Sequence, residues 1–232
     1  MSTTRFDGIV LHRRDFGEAH RIIEVLTPDS GRLSLLARGG RASRRRFAGA
    51  LDQFLHLRME VSTRGRLWSL SSARVLEPRV GIRSDWASYV RANVVCECAR
   101  LLTPEHADAA DMYAVVNEGL ERLDAHEVIA AARAFPRLLR AAGIAPALDQ
   151  CVRCKGRGEL VDLDPVAGGA ICSGCTRATA RAVLDVFAGR AVANRQVADA
   201  VEAYAARCVE AHIGRRLQSR KAQLRSESSQ WT

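Results

Sequence analysis

At 232 residues, 47% apolar and 26% charged, the chain has material for one large or two ordinary globular domains. It nowhere reaches the ~20 uninterrupted apolar residues of a membrane helix, and its first residues, with Arg5, Asp7, Arg13, Arg14 and Asp15, lack the apolar core of an export signal. The net charge of +9 is uneven: the basic excess is +7 over residues 1–80 and +2 over 81–232. A GC-rich coding bias accounts for Arg supplying 33 of the 35 basic residues, but not for that asymmetry, which points to a polyanionic partner.

Residues 6–76 read as β structure. Phe6–Phe16 and His20–Leu26 are short runs rich in Ile, Val and Leu, followed by the turn Thr27-Pro28-Asp29-Ser30-Gly31. A third strand, Leu33–Ala37, ends at Gly39-Gly40. The alternating segment Phe54–Val61 and then Leu67–Ser71 follow the polar stretch Arg41–Arg46. Five short strands suit a small closed barrel, either the oligonucleotide-binding (OB) fold or an SH3-like barrel.

After Glu77-Pro78 the period becomes helical. Ser84 or Asp85 caps a helix to Leu102 with Trp86, Val90, Val94 and Leu101 on one face. Met112 to Leu123 mark a second helix and Val128–Ala142 a third, kinked by Pro136 unless that residue sits near its start. Thr179–Phe187 and Val197–Leu224 read as two more, and Ser226–Thr232 as a polar, disordered end. The expected class is α+β: a five-stranded barrel over 1–80, then a helical domain over 81–232 with a cysteine insert at about 148–177.

Cys151-x-x-Cys154 and Cys172-x-x-Cys175 lie seventeen residues apart, the spacing of two knuckles that share one zinc ion. Four thiolates complete a tetrahedron and leave no position for water or substrate, so the ion is structural. Such pairs, among seven cysteines, indicate a reducing compartment, and the cytoplasm is the expected location. Cys96-x-Cys98 points two ways on one helix and cannot chelate well; with Cys208 it reads as core or near-surface.

The densest basic cluster is Arg38-Gly39-Gly40-Arg41 with Arg44-Arg45-Arg46, flanked by Phe47 and Phe54. In the loop between the third and fourth strands it would offer guanidinium groups to phosphates and bases, with Arg13, Arg14, Arg64 and Arg66 adding to the same surface. The chain has no phosphate-binding loop, no nucleophile elbow, no dinucleotide fingerprint and no H-E-x-x-H, so no catalytic machinery is visible.

Ala37-Arg38-Gly39-Gly40-Arg41 through Phe47–Phe54, Phe135-Pro136-Arg137-Leu138-Leu139, and Gly143–Leu148 leading into Cys151 and Cys154, then Gly168–Cys172, together resemble the RecO family of bacterial recombination mediators. The resemblance runs over essentially the whole chain. It implies an OB barrel, binding of single- and double-stranded DNA and annealing of complementary strands. It also implies loading of RecA, with RecR as partner, onto DNA coated by single-strand-binding protein (SSB), in association with the nucleoid. It further suggests that the C-terminal helices receive the acidic, hydrophobic SSB tail, with Arg215, Arg216 and Arg220 beside Ile213 and Leu217 as its basic rim. Two departures are Arg in place of Lys in the loop and a carboxylate, Asp52, close to the expected DNA face. A zinc-containing transcription- or RNA-associated protein would share the barrel and knuckles, and a nucleic-acid enzyme would need clustered acidic metal ligands that the chain lacks.

Overall fold

The computed structural model describes residues 3–41, 43, 46–47, 49–64 and 67–220. Arg44, Arg45, Arg66 and the C-terminal polar stretch lie outside the described residues, as does the side chain of Arg64. The chain forms two compact units, Met1–Ala125 and His126–Thr232.

The first unit begins with β1 (Thr3–Phe16), β2 (His20–Thr27), β3 (Gly31–Ala37), β4 (His56–Arg64) and β5 (Leu67–Glu77). They close in the order β1-β2-β3-β5-β4. β1 pairs antiparallel with β4 through its first half and with β2 through its second, shifting register between Val10 and His12. β3 meets β5 in parallel at Leu36 and Ser69. This order and parallel closure are those of the OB fold and exclude the antiparallel SH3-like alternative.

Strand alternation sends Val10, Ile23, Val25, Leu33, Leu35, Leu57, Met59 and Val61 inward. The long β3–β4 connection adds Phe47, Ala50, Leu51 and Leu55 to the same core. Phe47 and Phe54 are 1% and 2% exposed, so these aromatics, which flank the basic cluster in sequence, are interior residues. β4 therefore starts at His56 rather than Phe54, which sits at φ 72 and breaks the strand geometry.

Three helices complete the unit: α1 (Val80–Ser84), α2 (Trp86–Leu102) and α3 (Ala110–Asp124). Asp85 caps α2 by accepting from the Ser88 N–H at 2.7 Å. Because α2 packs against both β1 and α3, its buried residues run unbroken from Val94 to Ala99 and do not form the expected stripe. Trp86 is 58% exposed, contrary to its expected place on the buried face. Cys96 and Cys98 are wholly buried, and burial pushes the Cys96 thiol up to about 12.

Arg79 joins barrel to helices. Its side chain is buried and donates to the Phe54 carbonyl at 2.8 Å, to Asn117 Oδ1 on α3 at 2.5 Å and to Glu77 at 3.3 Å. Next to it, a side chain on Gly81 would lie 2.0 Å from the Asp124 carbonyl oxygen, so the chain passes α3 at glycine-only distance.

The second unit holds α4 (Ala130–Ala141), β6 (Leu160–Asp164), β7 (Gly169–Cys172), α5 (Arg181–Phe187) and α6 (Arg195–Ile213). Pro136 sits inside α4, where its ring removes a backbone donor. α4 and α5 pack on α6, with Phe187 edge-on to Tyr204 at 5.0 Å. The helix expected over Val197–Leu224 is shorter: Gly214 at φ 71 stops it after Ile213. The chain then turns back, burying Leu217, whose N–H donates to Glu210 at 3.0 Å. Among the described residues no helix is long and apolar enough to cross a membrane.

Replacing Arg79 by Ala should strand the Phe54 carbonyl and Asn117 without a donor and lower stability by about 2–4 kcal/mol. Chemical denaturation is the measurement, and Arg79→Lys should recover less than half, since one ammonium cannot span three acceptors in a fork.

Candidate nucleic-acid interface and metal centre

The basic connection after β3 is an ordered turn in its described part. Gly39, at φ 67, donates its N–H to His20 Nδ1 at 3.0 Å, and the Ser43 N–H returns to the Gly39 carbonyl at 3.1 Å. Arg38 and Arg41 are exposed. Arg41 reaches the β1–β2 turn, donating to the Glu18 carbonyl at 2.9 Å and lying 3.7 Å from Asp15. Arg46 folds back, donating to the Arg38 carbonyl at 2.6 Å with its guanidinium 5.2 Å from the centre of the Phe47 ring. Arg13 pairs with Asp52 at 3.4 Å, and Arg83 approaches the other oxygen of the same carboxylate at 3.9 Å. Arg14 is exposed on β1.

A second group of arginines was not singled out from the sequence. Strand register sets Arg5 opposite Glu60, Glu60 opposite Ser72, and Arg58 between Asp7 and Arg74, all facing outward because Met59 between them points in. Arg5, Arg58, Glu60, Ser72 and Arg74 line, with Arg46, a surface groove of about 580 Å³. Arg58 bonds Asp7 through two nitrogens, at 2.9 and 2.7 Å, which holds the Asp7 carboxyl below its usual range. Arg5, and after it Ser72, do the same for Glu60. Single arginines at alternate strand positions look like an ordinary solvated face; only the pairing of β1, β4 and β5 gathers them. Arg46 makes the groove continuous with the loop.

In the second unit the four expected cysteines converge, their sulfurs all within 4.8 Å of one another. Cys154 and Cys172 are 3.7 Å apart, close to the ~3.8 Å edge of a tetrahedron built on bonds of about 2.3 Å. The first knuckle closes through the Lys155 N–H to the Cys151 carbonyl and the Cys151 N–H to Gly156, both at 2.9 Å. The second closes through the Cys175 N–H to the Cys172 carbonyl at 2.9 Å. β6 and β7 carry this second knuckle on a hairpin that the sequence reading did not resolve. Gly169 is required there, because a Cβ would meet Val152 at 2.5 Å and the Ala147 carbonyl at 2.6 Å. Backbone N–H groups, that of Cys154 foremost, donate to the Cys151 sulfur and bring its thiol down to about 6. The donor set and spacing fit one thiophilic dication with no open position.

Family models described as Recombination protein O N terminal and Recombination protein O C terminal match residues 1–79 and 83–221. The chain belongs to the RecO family. The protein called DNA repair protein RecO from Anaeromyxobacter sp. (strain K) is 36% identical over 95% of this chain and 96% of its own length. Those of Myxococcus xanthus (36% identical; 73% of this chain, 71% of theirs) and Bifidobacterium animalis subsp. lactis (34%; 74% and 74%) are similar over shorter spans. The RecO-family models meet near residue 80, whereas the compact units divide after Ala125, because α2 and α3 pack on the barrel strands.

Of the three arginines expected at a tail site in this RecO-family chain, Arg215 and Arg216 are exposed just past α6. Arg220 is half-buried and paired with Glu210 at 3.2 Å. Leu217 is wholly buried, which leaves Ile213 as the accessible apolar neighbour.

Elemental analysis of gently purified protein should find one divalent ion per chain. Cys154→Ser should bring it below about half an equivalent and speed amide exchange in β6 and β7 while leaving the barrel's exchange unchanged.

Proposed function

We propose that this chain is a non-catalytic DNA-repair protein that binds single- and double-stranded DNA through its barrel. In this reading it anneals complementary strands without ATP and, with RecR, helps load RecA onto SSB-coated single strands. The observation that carries the DNA part is the OB barrel with an arginine surface running from Arg38 and Arg41 through Arg46 into the groove of Arg5, Arg58 and Arg74. Similarity to proteins named for DNA repair over nearly the full chain supports the repair role. RecR, SSB and RecA rest on the family alone, as does a place in the cytoplasm beside the nucleoid.

Two strands meeting in solution repel each other through their phosphates. A surface that contacts either backbone lowers that barrier without preferring a sequence. Arg13, Arg14, Arg38, Arg41, Arg44, Arg45, Arg46, Arg64 and Arg66 are the proposed contacts of the loop and its neighbours, and Arg5, Arg58 and Arg74 extend them. The carboxylates on this face do not forbid it. An exposed pair such as Arg5 with Glu60 is screened by water and weak, so a phosphate can take over the guanidinium at little cost.

Zinc is the proposed ion for Cys151, Cys154, Cys172 and Cys175, with a structural role: it ties two glycine-rich knuckles that bury little of their own. Residues 1–80 and 81–232 are the proposed functional domains, with the zinc insert at about 148–177. Arg215 and Arg216, assisted by Arg220, are the proposed contacts for the acidic SSB tail.

For a single-stranded oligonucleotide, log Kd against log salt should steepen by about 0.7 per neutralised phosphate. Arg38→Glu with Arg74→Glu should flatten that slope, weaken binding to all sequences alike and slow annealing. Wild-type slope and annealing rate in this variant would place the DNA face elsewhere, and selective binding to one duplex sequence or to structured RNA would mark a different kind of nucleic-acid protein. Arg215→Glu with Arg216→Glu should weaken binding of an SSB tail peptide while leaving oligonucleotide affinity within about twofold.

A further inference from the structure

The fold leaves the indole of Trp86 in water. It stands in the first turn of α2 at 58% exposure, among the few large apolar side chains left in water. It is also held in place. Its ring stacks on Tyr89, centroids 5.9 Å apart and planes 17° from parallel. Tyr89 in turn sits edge-on to Phe54, at 5.5 Å and 88°. Phe54 is buried and fixed through its carbonyl by Arg79. The three rings form a ladder from the barrel interior to the surface, where the indole lies against Tyr89 and stays more than half exposed.

The surroundings suit a polyanion. Phe54 ends the connection that begins at Arg38, so the ladder rises where the basic segment rejoins the barrel. Three residues before Trp86, Arg83 donates to the Gln53 carbonyl at 3.5 Å and shares Asp52 with Arg13. Two guanidinium groups on one carboxylate leave net positive charge. Asp85, the residue before Trp86, accepts from the Ser88 N–H as the helix cap.

We infer that Trp86 is a stacking platform for an unpaired base of single-stranded DNA, with Arg13 and Arg83 on the adjoining phosphates. The inference rests on the DNA-binding reading above and deepens it: arginines alone bind any nucleic-acid backbone, whereas a rigid indole face distinguishes a strand with free bases from one whose bases are paired. Every base has a π-face, so the platform adds affinity without sequence preference, as a protein that pairs arbitrary strands requires.

The test uses the full chain and three probes of equal length: oligo-dT, an abasic oligonucleotide and a hairpin-closed duplex. Wild-type protein should bind oligo-dT more tightly than the abasic strand. Trp86→Ala should lose roughly 5- to 150-fold for oligo-dT, the range for removing one stacked base, and stay within about twofold for the other two. Trp86→Phe should recover most of the loss, which a merely structural residue would not require. If Trp86→Ala bound all three probes as wild type does, or lost affinity for all three equally, the platform would be wrong while DNA binding stood; the first outcome would leave the ladder as a surface for a protein partner. If the wild-type protein bound none of the probes, the DNA-binding reading itself would fall.

Discussion

The buried guanidinium of Arg79 is the constraint on which the first unit depends. Taking a cation out of water costs several kcal/mol unless its donors are met. Here the two terminal nitrogens are met by the Phe54 carbonyl, by Glu77 at the end of β5 and by Asn117 on α3, while Nε is buried without a partner. Those acceptors come from three separate parts of the chain, so one side chain sets where the basic connection ends, where the barrel ends and where α3 lies. It also stabilises the left-handed backbone at Phe54, a conformation that a bulky residue adopts only when its neighbours enforce it. The Phe54 ring is thereby aimed at Tyr89, and the aromatic ladder follows.

Around that anchor the barrel separates two tasks by strand parity. Inward positions carry the apolar core; outward positions on β1, β4 and β5 carry Arg5, Arg58 and Arg74 beside Asp7 and Glu60. The carboxylates keep the face from repelling itself, and because the pairs are exposed they do not lock it. The glycine pair after β3 does the complementary work at the loop: Gly40 packs 2.9 Å from both the Ala37 carbonyl and Leu51 at its Cβ position, so the chain turns sharply and Arg38, Arg41 and Arg46 are fanned from a short segment.

The second unit solves a different problem. Its helices α4, α5 and α6 meet through small and aromatic side chains, but the cysteine insert has only a small buried cluster of Cys151, Ile171 and Cys172. A two-stranded hairpin is marginal by itself, and the four converging sulfurs supply the cross-link that its packing does not. Arg153 adds a local tie, reaching the Cys175 carbonyl at 3.2 Å and Asp164 at 3.0 Å.

Local patterns in the chain determined much of this. The alternation in the first seventy residues, the Glu77-Pro78 break, the Asp85 cap and the two C-x-x-C pairs at seventeen-residue spacing each act over a few neighbours, and each has the structural outcome its chemistry dictates. Even the stop at Gly214 was present as a glycine in a helical run, outweighed by the apolar period on either side of it. What only the tertiary structure decided depends on residues far apart in sequence. Strand register collects Arg5, Arg58 and Arg74 into one groove, and closure of the barrel draws Phe47 and Phe54 inside although they flank a charged loop. The packing of α2 against both β1 and α3 turns Trp86 outward. A periodicity tells which side chains share a face; which face is covered is set by the partner that folds against it, and that partner is chosen by the whole chain.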